Sequence, residues 1–138
     1  LINDTYGHAI GDQVLQAVAQ RMHERVRLED TLCRYGGDEF LYLLVNPQGL
    51  ESVQRVAEEM FERVAQPVII DDLTLTVEPS IGIALYPNDG DTGSELVANA
   101  DAAMYRAKNT KAGYTVFDRL KDHSTQVKCQ QGSTTVSV

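Results

Sequence analysis

Leu32-Cys33-Arg34-Tyr35-Gly36-Gly37-Asp38-Glu39-Phe40-Leu41-Tyr42-Leu43-Leu44-Val45 is the stretch from which the fold can be worked outward. Two short apolar runs, Leu32 to Tyr35 and Phe40 to Val45, flank a glycine pair. That punctuation predicts a β-hairpin whose turn can take backbone angles that side chains disfavour. Asp38 and Glu39 then stand at the turn. Two adjacent glycines leave it bare, so a phosphate can approach the backbone closely, and the two carboxylates add hard oxygens of the kind magnesium takes. An ordinary solvated turn with two acidic residues has the same string, and the string alone does not separate the two.

Helical spacing governs the flanks. Val14, Leu15, Val18, Met22 and Val26 predict a helix from Gly11 to Arg27, with Asp12 in its first turn, where a carboxylate favours the helix dipole. Leu50, Val53, Ala57, Met60, Phe61 and Val64 predict a second helix, ended ahead of Pro67, which cannot donate a backbone hydrogen bond. Val68-Ile69-Ile70 and Leu73 to Val77, joined by Asp71-Asp72, form a predicted second hairpin, and Ser80 to Tyr86 a further strand stopped by Pro87-Asn88-Asp89-Gly90. A third helix is expected from about Ser94 to Lys108, with a last strand from Tyr114 to Phe117. The arrangement is mixed α/β. It implies one domain over 1–118 and a loose polar tail over 119–138, since Ser124 to Val138 is rich in Ser, Thr and Gln without a sustained apolar period.

With 138 residues, 43% of them hydrophobic and 23% charged, the chain can bury one core. No apolar run approaches the length of a membrane span, and Leu1-Ile2-Asn3-Asp4 has neither a basic nor an apolar signal region. Cys33 and Cys129 lack metal-knuckle spacing, so the expectation is a reduced, cytoplasmic chain without a disulfide and without membrane contact. A net charge of -8 argues against a long nucleic-acid partner, because phosphate-backbone affinity needs accumulated Lys and Arg. Arg106, Lys108, Lys111, Arg119 and Lys121 nevertheless cluster late, which leaves room for a small phosphate-bearing ligand such as a nucleotide. His8 and His23 have no metal spacing and are assigned no chemistry.

Four blocks, in order and at matching spacing, carry a family resemblance. They are Ile2-Asn3-Asp4-Thr5-Tyr6-Gly7-His8 with Gly11-Asp12 and Leu15; Arg34-Tyr35-Gly36-Gly37-Asp38-Glu39-Phe40; Ser80-Ile81-Gly82-Ile83-Ala84 with Tyr86-Pro87 and Asp89-Gly90; and Ala100-Asp101-Ala102-Ala103-Met104-Tyr105-Arg106-Ala107-Lys108. From Asn3 to Asp118 the sequence resembles the GGDEF family of diguanylate cyclases. The resemblance implies a ferredoxin-like nucleotidyl-cyclase fold, a central mainly antiparallel sheet flanked by helices. It further implies that the Gly-Gly hairpin cradles GTP phosphates and that carboxylates bind two Mg2+ (or Mn2+) ions. Two GTP-loaded domains would face each other as a homodimer, each 3′-hydroxyl attacking the other's α-phosphate, with pyrophosphate leaving and cyclic di-GMP as product.

Position by position, Asn3 and Asp12 match the guanine-reading residues, and Leu15 would pack beside the base. Without the resemblance, Asn3 and Asp12 read as turn and helix-cap residues. Gly36 and Gly37 correspond to the phosphate cradle, Asp38 to a metal ligand and catalytic carboxylate, and Glu39 to its metal-binding neighbour. Lys108 and Lys111 fall near a phosphate-binding basic pair, with one residue fewer before Lys111 than in the family; otherwise they are helix-end lysines complementing the dipole. Arg27 and Asp30 match a product-inhibition Arg-x-x-Asp, with a helix-end surface pair as the plain alternative. Glu59 stands where the next helix of the family often supplies an assisting arginine.

Family members carry a strand and a helix ahead of Asn3, and that strand brings a metal-binding aspartate followed by a phosphate-binding lysine. For a segment starting at Leu1, the resemblance implies a sheet missing its first strand, an incomplete metal site and negligible cyclase activity by itself. The alternative function is a non-catalytic module that binds GTP or cyclic di-GMP and regulates a neighbouring domain. A third reading is an interaction domain with no nucleotide site.

Overall fold

The computed structural model describes residues 5–122, so Asn3 and the segment 123–138 lie outside the described residues. Its elements are α1 (His8–His23), β1 (Thr31–Gly36), β2 (Glu39–Leu43), α2 (Leu50–Ala65), β3 (Val68–Ile70), β4 (Leu73–Leu75), β5 (Ile81–Ile83), α3 (Gly93–Thr110), β6 (Tyr114–Val116) and α4 (Arg119–Asp122). The mixed α/β order follows the hydrophobic spacing. None of the described helices is long and apolar enough to cross a membrane.

α1 departs from its expected bounds at both ends. It begins at His8, which carries Asp12 past the first turn and away from the helix N-terminus. It closes at His23 and not at Arg27, because the chain tightens there through Arg25 N–H to Met22 O at 3.0 Å and Val26 N–H to His23 O at 3.3 Å. Arg25 then reaches Glu59 on α2, and Arg27 pairs with Asp30 three residues on.

The main core lies between α1, α2 and the strands. Val14, Val18 and Met22 of α1 meet Val53, Ala57, Met60 and Val64 of α2, with Phe40, Tyr42, Val68, Ile70 and Ile81 beneath. Arg21 fastens the two helices by donating to the carbonyls of Gln66 (2.6 Å) and Pro67 (2.5 Å), groups left open where α2 ends. On the other side, α3 lays Ala100, Ala103, Met104 and Ala107 against β5 and β6. Gly82 makes that approach possible, since a Cβ there would stand 2.0 Å from Ala100 O and 2.2 Å from Met104 N. Thr92 caps α3 by accepting from Glu95 N–H at 3.2 Å, and Lys111 ends it in a left-handed conformation with φ 55°.

The strands pair as three two-stranded ladders: β1–β2 and β3–β4 antiparallel, β5–β6 parallel. Among the described residues the expected central sheet is thus in pieces. β2 bonds only to β1 and β5 only to β6, although Phe40 and Tyr42 are 5% exposed and all of β5 is buried. Phe40 and Tyr42 of β2 and Ile81 of β5 line one apolar cavity of about 90 Å³, with Val14 and Val18 of α1 and Met60 and Val64 of α2 along its walls. A buried strand edge without a ladder partner leaves backbone donors and acceptors to be satisfied.

The folded unit also runs past the boundary expected at 118. Residues Arg119–Asp122 form a short helix whose Asp122 side chain is fully buried. Arg106 donates to it from Nε at 2.5 Å and Nη2 at 3.2 Å, and from Nη2 also to Val116 O at 2.8 Å. Asp118 N–H adds a bond at 2.8 Å. A buried carboxylate is tolerated only when paired and hydrogen-bonded in this way, so residues 119–122 belong to the domain and not to a loose tail.

Candidate functional site

Strand register builds the turn. Arg34 pairs with Phe40, and the next pair is Gly36 with Glu39, so the ladder is irregular at Tyr35. Gly37 adopts φ 51°, in the left-handed region that favours glycine. No atom lies within 4 Å of a Cβ built at Gly36 or Gly37, so the turn presents bare, open backbone. Arg34 Nε braces it by donating to Gly37 O at 2.6 Å, a contact that the bare motif does not announce.

Asp38, in the turn, and Glu39, the first residue of β2, line different sides of the hairpin. Asp38 shares the apolar cavity with Leu15, Phe40 and Tyr42, so two of the expected site residues, Leu15 and Asp38, come together. Asp12 is exposed on α1, just short of one turn ahead of Leu15. Glu39 is only 7% exposed and faces the other way, lining a groove with Tyr35, Ser94, Val97 and Asp101. Its Oε1 is buried without a hydrogen-bond partner. Asp101 was legible only as part of a motif block, and its place beside Glu39 comes from the packing of α3. Lys108 and Lys111 are exposed at the C-terminal end of α3 and line neither the Asp38 cavity nor the Glu39 groove. Among the described residues no three His, Cys, Asp or Glu side chains group as a metal cage.

The Arg27 and Asp30 pair forms a different environment. Asp30 Oδ2 accepts from Arg27 Nε at 2.9 Å and Tyr42 Oη at 3.0 Å; Oδ1 accepts from Arg27 Nη2 at 3.2 Å and Val45 N–H at 2.9 Å. Burial pushes the Asp30 carboxyl up, but the hydrogen bonds from Arg27, Val45 and Tyr42 outweigh it and hold the group below its usual range. Burial, then the bond to Asp30, pushes the Tyr42 phenol up to about 12. Glu59 of α2 pairs with Arg25, just past the end of α1.

The fold and the bare acidic turn define a nucleotidyl-cyclase-type domain. The chain belongs to the GGDEF family: residues 1–113 match the family described as diguanylate cyclase, GGDEF domain. It is 43% identical over 130 residues to the bifunctional diguanylate cyclase/cyclic di-GMP phosphodiesterase MucR of Pseudomonas aeruginosa, covering 94% of this chain and 19% of MucR. To the diguanylate cyclase TpbB of the same organism it is 38% identical over 122 residues, covering 88% of this chain and 28% of TpbB. The chain therefore spans under a third of either protein. Among solved structures, an EAL/GGDEF domain protein from M. capsulatus superposes with a TM-score of 0.80 at 40% identity, covering 85% of this chain and 76% of that one. The GGDEF domain of DgcB from Caulobacter crescentus, solved in complex with c-di-GMP, gives 0.73 at 27% identity, covering 83% and 69%.

Proposed function

We propose that this chain is the nucleotide-binding portion of a diguanylate cyclase that condenses two GTP molecules into cyclic di-GMP and pyrophosphate. The observation that carries the reading is the bare Gly36-Gly37 turn with Asp38 beside it: open backbone for a triphosphate and a carboxylate in reach of it. Leu15, which shares the Asp38 cavity, would pack beside the guanine, and Asp12 on the same helix would accept from its N–H edge, with Asn3 completing the pair. Lys108 and Lys111 would meet phosphate oxygens from the end of α3. Asp38 acts as the catalytic carboxylate at the attacking hydroxyl, and a second copy brings the other GTP into line.

The donor set fits Mg2+ or Mn2+ in part. Asp38 would meet an ion at the cavity and Glu39, with its orphaned buried Oε1, one beside α3; lying on opposite sides, the two do not converge on a single ion here. Magnesium bound to few carboxylates takes its other ligands from water and phosphates, and when bound it offsets charge on the phosphoryl oxygens. A further carboxylate fits the account: the unpaired edges of β2 and β5 at one apolar cavity suit a strand from a longer parent chain, the segment that bears the metal-binding aspartate in family members. On this reading the 138-residue chain alone synthesises negligible cyclic di-GMP.

GTP with Mg2+ added to the chain tests the binding half. A rise in Tm that is lost in Asp38→Ala supports the site, because a ligand that binds only the folded state stabilises it. An unchanged Tm at millimolar GTP argues against a nucleotide site at this turn.

A further inference from the structure

The register of the first hairpin steps from the Arg34–Phe40 pair to the Gly36–Glu39 pair, so Gly37 and Asp38 form a two-residue loop. Gly37 opens it with φ 51° and Asp38 keeps a negative φ, the pattern of a glycine-first hairpin turn. The glycines leave this loop free to move as well as open to a ligand, since nothing lies within 4 Å of a Cβ position at either Gly36 or Gly37. Among the described residues, the one side-chain hydrogen bond to the turn's backbone comes from Arg34, whose Nε donates to Gly37 O at 2.6 Å. Its donor is charged, which makes such a bond roughly twice as strong as a neutral one.

That bond falls on the peptide unit that carries Asp38. The carbonyl of Gly37 and the N and Cα of Asp38 lie in one plane, so an anchored Gly37 O fixes the point from which the Asp38 side chain starts. Asp38 makes no ion pair among the described residues, and its direction into the cavity shared with Leu15 depends on the backbone beneath it. We propose that Arg34 is a positioning residue for the chemistry at Asp38: through Gly37 O it holds the turn in one conformer and aims the carboxylate at the cavity. The effect on catalysis rests on the nucleotide reading of the turn. The bracing of the turn does not.

Two measurements on Arg34→Ala test the proposal. The first needs no nucleotide: amide exchange in the 138-residue chain at Gly36 and Glu39, the pair that closes the turn. Exchange there is expected to quicken by roughly fivefold, the scale of one lost hydrogen bond, while α2 keeps its protection and shows that the fold survives. Unchanged exchange at the turn overturns the bracing. The second is GTP turnover by a longer parent chain that carries the segment preceding Leu1. A misaimed Asp38 carboxylate is expected to lower kcat by about tenfold or more and to leave KM within about twofold, at low and high salt alike. An unchanged kcat overturns the positioning role, and so does a loss that falls on KM and shrinks as salt rises, which would make Arg34 a phosphate ligand. If the unsubstituted parent makes no cyclic di-GMP, the proposed function falls, and the exchange measurement by itself upholds or overturns the bracing.

Discussion

Gly82→Ala puts the packing of α3 on the strands to a direct test. The added Cβ would sit 2.0 Å from Ala100 O, 2.2 Å from Met104 N and 2.8 Å from Met104 Cα, where ordinary contact begins at 3.4 Å. All three atoms are backbone, so no side chain can swing aside. The 18-residue α3 has to retreat from β5 by about 1 Å, a gap that forfeits roughly a quarter to a half of the dispersion attraction across the contact. That contact includes Ala100, Ala103, Met104 and Ala107, each no more than 2% exposed. Overpacking against side chains costs about 1–3 kcal/mol; against fixed backbone we expect about 3 kcal/mol or more. A domain with roughly 5–15 kcal/mol of stability would lose a large part of it. Urea unfolding followed by circular dichroism reads the loss as a lower midpoint with an unchanged slope. Gly93→Ala is the control, since no atom lies within 4 Å of its Cβ position, and it should stay within about 1 kcal/mol of the parent. Gly82→Ala unfolding within about 0.5 kcal/mol of the parent would refute the packing of α3 on β5.

Asp122→Asn removes the charge that Arg106 faces in the interior and is expected to cost about 3 kcal/mol, the low end for a buried pair because the Arg106 side chain keeps 22% of its exposure. Denaturant unfolding checks it, and a neutral substitution would return residues 119–122 to the status of a tail. Tyr42 has its folded pKa raised from 10.0 to about 12, so its contribution is complete below pH 10 and fades as pH rises through about 12. Stability of the parent should fall across that window, and Tyr42→Phe should flatten the fall. Asp30 is shifted the other way. Its contribution is present above the ordinary carboxylate pKa of about 3.9 and disappears as pH drops through the lower folded value, so Asp30→Asn should lessen the acid-side loss of stability below about pH 4.

Much of this was legible in the amino-acid order because it rests on local patterns. The glycine pair between apolar runs marks the hairpin, and Val53, Ala57, Met60 and Val64 mark α2, since period-two and period-3.6 patterns are properties of consecutive residues. Asp38 and Glu39 were read together at the turn, and their separation onto different sides shows only in the packing. The position of Asp122 was not legible, because its partner Arg106 lies 16 residues earlier and nothing local in a polar C-terminal segment signals a buried carboxylate. Nor was the bonding of Asp30, which depends on Tyr42 and Val45 arriving from β2 and its end. The end of α1 moved for a similar reason, as Arg25 and Arg27 find partners outside the helix. Lys108 and Lys111 were identifiable as a basic pair, but their distance from the turn depends on how α3 lies across β5.

The most direct test of the central claim is cyclic di-GMP formation from GTP and Mg2+ by a longer parent chain that carries the segment preceding Leu1, compared with its Asp38→Ala variant by liquid chromatography. The account predicts synthesis by the parent and a fall of roughly a hundredfold or more on losing the Asp38 carboxylate. Equal turnover by the two proteins would place the chemistry away from the Gly36-Gly37-Asp38 turn and contradict the account.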